Sequence, residues 1–110
     1  MEVKAKPEKR ATAGVKAAIK EYVDKVTTLP QVKEVLVARD EEGATIWTVI
    51  EAPPFEFSSE EPIYEAELEV LRDSPDDVLL DVRVLNVAEL PGREGVAEFI
   101  PAQARLVWRR

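Results

Sequence analysis

Neither cysteine nor histidine occurs in this chain of 110 residues, and the two absences remove most of the usual catalytic inventory. Without cysteine there is no disulfide, no thiolate nucleophile and no thiolate metal site. Without histidine there is no imidazole general base, no Ser-His-Asp triad and no His-ligated zinc. Glycine is scarce as well. Gly14, Gly43, Gly92 and Gly95 are all there are, and none stands in the spacing of a phosphate-cradling loop. No apolar run approaches the roughly 18 residues that a membrane-spanning helix needs. The opening stretch, MEVKAKPEKRATAG, has no apolar segment of the secretory kind, so a cytoplasmic location is expected. Side-chain amides are limited to Gln31, Asn86 and Gln103; with so many charges beside them, the usage is thermophile-like.

Carboxylates are what the chain has in quantity. Aspartate and glutamate number 22 against 15 lysines and arginines, a net charge of −7, which argues against a nucleic-acid backbone binder. Any metal held by these side chains would be a hard ion such as magnesium or calcium. Positive charge gathers at the two ends, in Lys4, Lys6, Lys9 and Arg10 and again in Arg105, Arg109 and Arg110, which reads as solvated termini. A hydrophobic content of 45% beside 34% charged residues is that of a globular chain.

The stretch Val32–Glu51 organises the rest. Two apolar runs flank an acidic turn that ends in Gly43, the pattern of a β-hairpin over 32–39 and 44–51, with Gly43 available for a left-handed turn position. The second run is apolar on both faces, Ile46, Thr48 and Ile50 on one and Trp47 and Val49 on the other, as in an interior strand. Residues 1–10 read as a flexible arm and 11–110 as a single domain. From Thr12, a plausible N-cap, Val15, Ala18, Ile19, Tyr22, Val23 and Val26 recur at helical spacing until Leu29-Pro30. Ala52-Pro53-Pro54-Phe55-Glu56-Phe57 reads as an extended connection pinned by two core-facing aromatics. Residues 58–73 fit either a strand or a helix. The Ser58-Ser59-Glu60-Glu61 capping box and the Ala, Leu and Glu content favour helix, with Ile63, Tyr64, Leu68 and Leu71 on a face extended by Ala66 and Val70. After an Asp73–Asp77 turn, residues 78–87 form a strand expected to run parallel to 44–51. A break at Leu90-Pro91-Gly92 and a helical turn or strand fragment at 96–100 lead to an arginine-guarded edge strand over Ala104–Arg109 that carries Trp108.

Two acidic clusters, Asp40-Glu41-Glu42 and Asp76-Asp77, sit in turns and read as solvated loops. Glu51 and Asp81 lie on neighbouring strands and are the candidate metal-binding carboxylates, with pairing to Arg83 or lysine as the simpler account. The order helix, hairpin, helix, strand and late ARLVWRR strand resembles the small, minimal nucleotidyltransferases over about residues 11–109. Members of that family carry Gly-Ser after the first strand and two aspartates, one residue apart, opening the second. Here the first strand ends Val37-Ala38-Arg39-Asp40 and the second opens Ala44-Thr45-Ile46-Trp47-Thr48. Only Asp81 falls where the third carboxylate would lie. A two-metal site needs more than one carboxylate, so the resemblance implies a degenerate, non-catalytic copy.

The expected fold is therefore α+β: a small mixed sheet of three to four strands with two helices packed on it. The expected function is a non-catalytic protein-interaction or regulatory module with no catalytic residue, metal or cofactor, an unidentified protein partner, and self-association as a dimer through Trp108. Neither nucleic acid nor membrane is an expected partner. The alternative is a carboxylate-based, metal-dependent nucleotidyl or phosphoryl transfer enzyme, or a small-ligand binder, built on Glu51 and Asp81.

Overall fold

A computed structural model describes residues 5–40, 43–90 and 97–110. Residues 1–4, Glu41 and Glu42 of the expected turn, Pro91 and Gly92 of the expected break, and Val96 lie outside the described residues. Helix α1 runs Ala5–Val26, strand β1 Val32–Arg39, β2 Gly43–Ile50, helix α2 Glu61–Asp73, β3 Leu79–Asn86 and β4 Arg105–Arg109. The strands form one mixed sheet in the order β3-β2-β1-β4. β1 pairs antiparallel with both β2 and β4, while β2 pairs parallel with β3 across the α2 crossover. The α+β expectation holds, as do the helical reading of α2 and the parallel strand that follows it. Residues 97–99 are helical.

The core lies between the two helices and one face of the sheet. The stripe on α1 that faces it is Val15, Ala18, Tyr22 and Val26, all buried, with Ile19 and Val23 packed beside them. From the sheet come Val35 and Val37 of β1, Ile46 and Ile50 of β2, and Val82 of β3. A bulge between Val32 and Glu34 shifts the alternation by one residue, so that Val32 is buried as well. Trp47 and Val49, on the opposite face of β2, are also buried, at 4% and 3% exposure. β2 is thus paired along both edges and covered on both faces, as its sequence requires.

Four local expectations are corrected. α1 begins at Ala5, inside the segment read as a loose arm, so Thr12 is a helical residue and not the cap. Gly43 is not in a left-handed turn; a side-chain carbon there would overlap the Leu79 carbonyl oxygen, so glycine is required by the close approach of β2 and β3 where their pairing begins. The capping box does not form. A 3₁₀ turn at Phe57–Ser59 leads into α2, whose cap, Glu60, makes no side-chain cap bond, with Pro62 in the first turn. Finally, α2 buries Ile63, Ala66 and Val70 and leaves Tyr64 and Leu68 exposed. The narrower i, i+3, i+7 stripe is enough to cover the sheet beside α1.

Polar residues fasten these layers. Tyr22 and Thr48, both fully buried, share a 2.5 Å hydroxyl–hydroxyl hydrogen bond, and burial pushes the Tyr22 phenol far above its usual value. The guanidinium of Arg110 donates to the carbonyls of Thr27, Leu29 and Val32 at 3.1, 2.9 and 2.9 Å. It closes the C-terminal end of α1 and supplies positive charge where the helix dipole favours it. The same group sits 5.0 Å from the centre of the Trp108 ring. Arg109 meanwhile donates to Glu34 at 3.0 Å. Two arginines read as solvated are thus structural.

Removing one half of the Tyr22–Thr48 bond strands the other in an apolar layer. Thr48→Val alone is expected to cost about 1–3 kcal/mol, whereas Thr48→Val with Tyr22→Phe should recover most of that loss. Chemical denaturation of the four chains in a double-mutant cycle measures the coupling; strictly additive costs would mean the bond contributes nothing.

Candidate functional site at the carboxyl ends of β2 and β3

In open sheets with parallel strands, binding sites gather where the strands end at their carboxyl side. Here that edge is made by Glu51 and the loop after β2, beside the loop after β3. Asn86, the last residue of β3 and the register partner of Ile50, is one of the few buried polar residues, at 8% exposure. Its Oδ1 accepts from the backbone N–H groups of Ala52 (3.3 Å) and Ala88 (3.0 Å), and its Nδ2 donates to the Ala52 carbonyl at 3.1 Å. One amide side chain therefore satisfies both backbone groups of buried Ala52. Gln31 ties down the other flank. Its backbone carbonyl accepts from Glu51 N–H at 2.9 Å and its side-chain Nε2 donates to the Ser59 carbonyl at 3.0 Å.

Between these two staples the loop carries Phe55 and Phe57. Both were expected to face the core; they are 75% and 72% exposed. Phe55 has φ 63°, a left-handed conformation that costs a bulky residue roughly 1–3 kcal/mol and persists only when its surroundings impose it. The imposing contact is Glu89, whose Oε2 accepts from the Phe55 N–H at 2.8 Å while also accepting from Asn86 Nδ2 at 3.5 Å. Two consecutive prolines narrow the same loop further. The product is an aromatic pair held outward on a fastened frame.

The carboxylates named from the sequence are not brought together. Glu51 follows Ile50, opposite the end of β3, while Asp81 pairs in register with Thr45. About six residues of strand, ~20 Å, lie between them. Asp81 is exposed and accepts from Arg83 Nε and Nη2 at 3.2 and 3.0 Å, the ion-pair account foreseen for it. The charge of Asp81 is felt by Glu67 on α2. Partial burial first, with the Asp81 charge adding to it, raises the Glu67 carboxyl, and a hydrogen bond from the Val82 backbone pulls it partly back. Nothing in the sequence paired these two; helix and strand meet only through the crossover. A second acidic group joins α1 to α2. Glu21 is raised by desolvation and by its hydrogen bond and charge contact with Asp73, while Lys25 donates to Glu69 at 2.8 Å. Among the described residues no three acidic side chains converge as metal ligands would.

No protein-family model matches this sequence, and no curated protein does. Among solved structures, one of a "putative nucleotidyltransferase" from Sulfolobus solfataricus superposes with a TM-score of 0.56 at 18% identity, over 92% of this chain and 88% of that one. The scaffold is thus nucleotidyltransferase-like, as the order of elements implied. At this identity the likeness establishes the fold alone. Among the described residues no helix is long and apolar enough to cross a membrane.

Two measurements check this site. Asn86→Ala leaves both backbone groups of Ala52 without their partner and should cost on the order of 1–3 kcal/mol; hydrogen exchange at Phe55 N–H should quicken, and unchanged protection there would show that Asn86 does not hold the loop. Glu67, raised above the ordinary carboxyl value of 4.5, binds its proton more tightly in the folded chain than in the unfolded one. Its ionisation therefore opposes folding as pH rises through that window. Glu67→Gln should match the native chain in melting temperature near pH 3 and exceed it near pH 7; the reverse order would refute the desolvation account.

Proposed function

We propose that this chain is a non-catalytic interaction module on a nucleotidyltransferase-like scaffold, and that Phe55 and Phe57 form the centre of its contact surface. The observation that carries this reading is the pair itself, largely exposed on a loop fixed by Asn86, Glu89 and Gln31. Rigid aromatic anchors supply most of the energy of protein contacts, because they bury much area for little lost entropy. The favoured partner is a second copy of the chain. Trp108, the residue first suspected of a dimer interface, packs against its own core beneath Arg110 and is thereby a weaker candidate than the phenylalanines.

The second reading is a metal-dependent transferase at Asp81, favoured by the likeness to the Sulfolobus solfataricus structure. Against it, the β2 residue in register with Asp81 is Thr45, between Gly43 and Trp47 on the same face, so the strand offers Asp81 no partner carboxylate. A two-metal reaction needs convergent ligands.

Sedimentation at micromolar concentrations should show the native chain as a dimer and the Phe55→Ser, Phe57→Ser double variant as a monomer. A native monomer across that range overturns self-association. Magnesium or manganese should leave the melting temperature unchanged, since an ion stabilises only what it binds. A rise that disappears in Asp81→Asn would overturn the non-catalytic reading in favour of the second.

A further inference from the structure

Helix α2 carries a second apolar stripe. Ile63, Ala66 and Val70 cover the sheet, while Tyr64 and Leu68 are 40% and 61% exposed, and Leu71, half-buried, continues their line. The spacing of this second stripe, four residues and then three, is that of the seam along which two helices pack, and the residues beside such a seam select the charge of the partner. Here Glu60 and Glu67 lie on one side and Glu65 on the other, and Glu61 extends the seam by one turn. Glu60 accepts from the Tyr64 hydroxyl at 3.5 Å. Residues 56–69 hold six glutamates and neither lysine nor arginine. Lys25 meets Glu69 at 2.8 Å, and Arg72, the one cation on α2, acts on the same carboxylate. Glu61 and Glu65 have no ion-pair partner among the described residues. The border of the stripe is therefore acidic and largely unneutralised.

We infer that the Tyr64–Leu68–Leu71 stripe docks a basic amphipathic helix of a partner protein. Apolar residues of that helix cover the stripe, and lysines or arginines beside them meet Glu60, Glu61 and Glu65. The apolar contact supplies most of the affinity, while the charges steer the encounter and reject acidic competitors. A second copy of this chain laid stripe to stripe would set several of these carboxylates against one another, which disfavours that pairing. The same charges repel nucleic acid and anionic lipid. Only a basic partner gains from both the stripe and its border. This pairing is independent of self-association through Phe55 and Phe57.

The test is titration calorimetry of the full chain with two synthetic helical peptides of about three heptads, with chemical-shift mapping in parallel. Both carry leucine at the seam positions; one has lysine at the flanking positions and the other glutamate. The lysine peptide should bind, the glutamate peptide should not, and shifts should centre on Tyr64, Leu68 and Leu71. Leu68→Ser and Glu65→Lys, both at exposed positions and expected to fold, should each weaken the lysine peptide about tenfold or more. Glu61→Lys combined with Glu65→Lys should turn the preference towards the glutamate peptide. The Phe55→Ser, Phe57→Ser double variant should bind the lysine peptide as the native chain does. No binding of the lysine peptide, equal binding of the two peptides, shifts centred elsewhere, or full affinity in both Leu68→Ser and Glu65→Lys would each overturn the inference. So would a native dimer that Leu68→Ser alone dissociates, since a second copy would then occupy the stripe.

Discussion

Tyr22 reaches from α1 into the middle of the sheet and shares a proton-bearing contact with Thr48, where no water can compete. An unmade hydrogen bond at that depth is expensive, so the pair admits only one placement of the helix on β2. The rest of the architecture hangs on that strand. β2 is the partner of β1 on one edge and of β3 on the other, and residues on both of its faces are buried. Shifting its register by one residue would move Thr48 away from Tyr22 and exchange the two apolar faces. It would also carry Gly43 away from the Leu79 carbonyl, the place where no side chain fits.

Around that centre a few polar side chains take over the backbone groups that regular structure leaves unpaired. Arg110 gathers the carbonyls at the end of α1, and in doing so fixes Trp108 and the last strand against the first. Asn86 and Gln31 do the equivalent beside the carboxyl end of β2, where the chain leaves the sheet. A chain with only three side-chain amides uses two of them in this way and places the third, Gln103, against a cavity between α1 and the β1–β4 edge. Such concentrated fastening lets the loop after β2 hold Phe55 in a conformation its side chain disfavours.

The fold is shared with a nucleotidyltransferase-like structure, yet chemistry resides in sites and not in folds. In this chain the exposed features lie apart from one another: an aromatic pair at the carboxyl ends of β2 and β3, an arginine-paired Asp81 on the face away from the helices, and a cavity beside α1 and β4. None of the three depends on histidine or cysteine.

By itself the sequence determined the periodic part of the structure. The stripe Val15, Ala18, Tyr22 and Val26, the two-faced run Ile46–Ile50 and the alternation of β3 are repeated short-range signals, and each fixes an element and its inner face. The parallel pairing of β2 with β3 followed from chain order alone. Tertiary structure decided what rests on single contacts between distant residues. Tyr64 and Leu68 are apolar and correctly spaced, but the room beside α1 admits only Ile63, Ala66 and Val70. Phe55 and Phe57 alternate like core residues and point outward because Glu89 takes the Phe55 amide. Glu51 and Asp81, neighbours by strand, are kept apart by a register that no local pattern encodes, while Lys16, Arg39 and Arg105, scattered through the chain, come to line one cavity. Periodicity is written in adjacent residues; register and close approach are settled only when the layers meet.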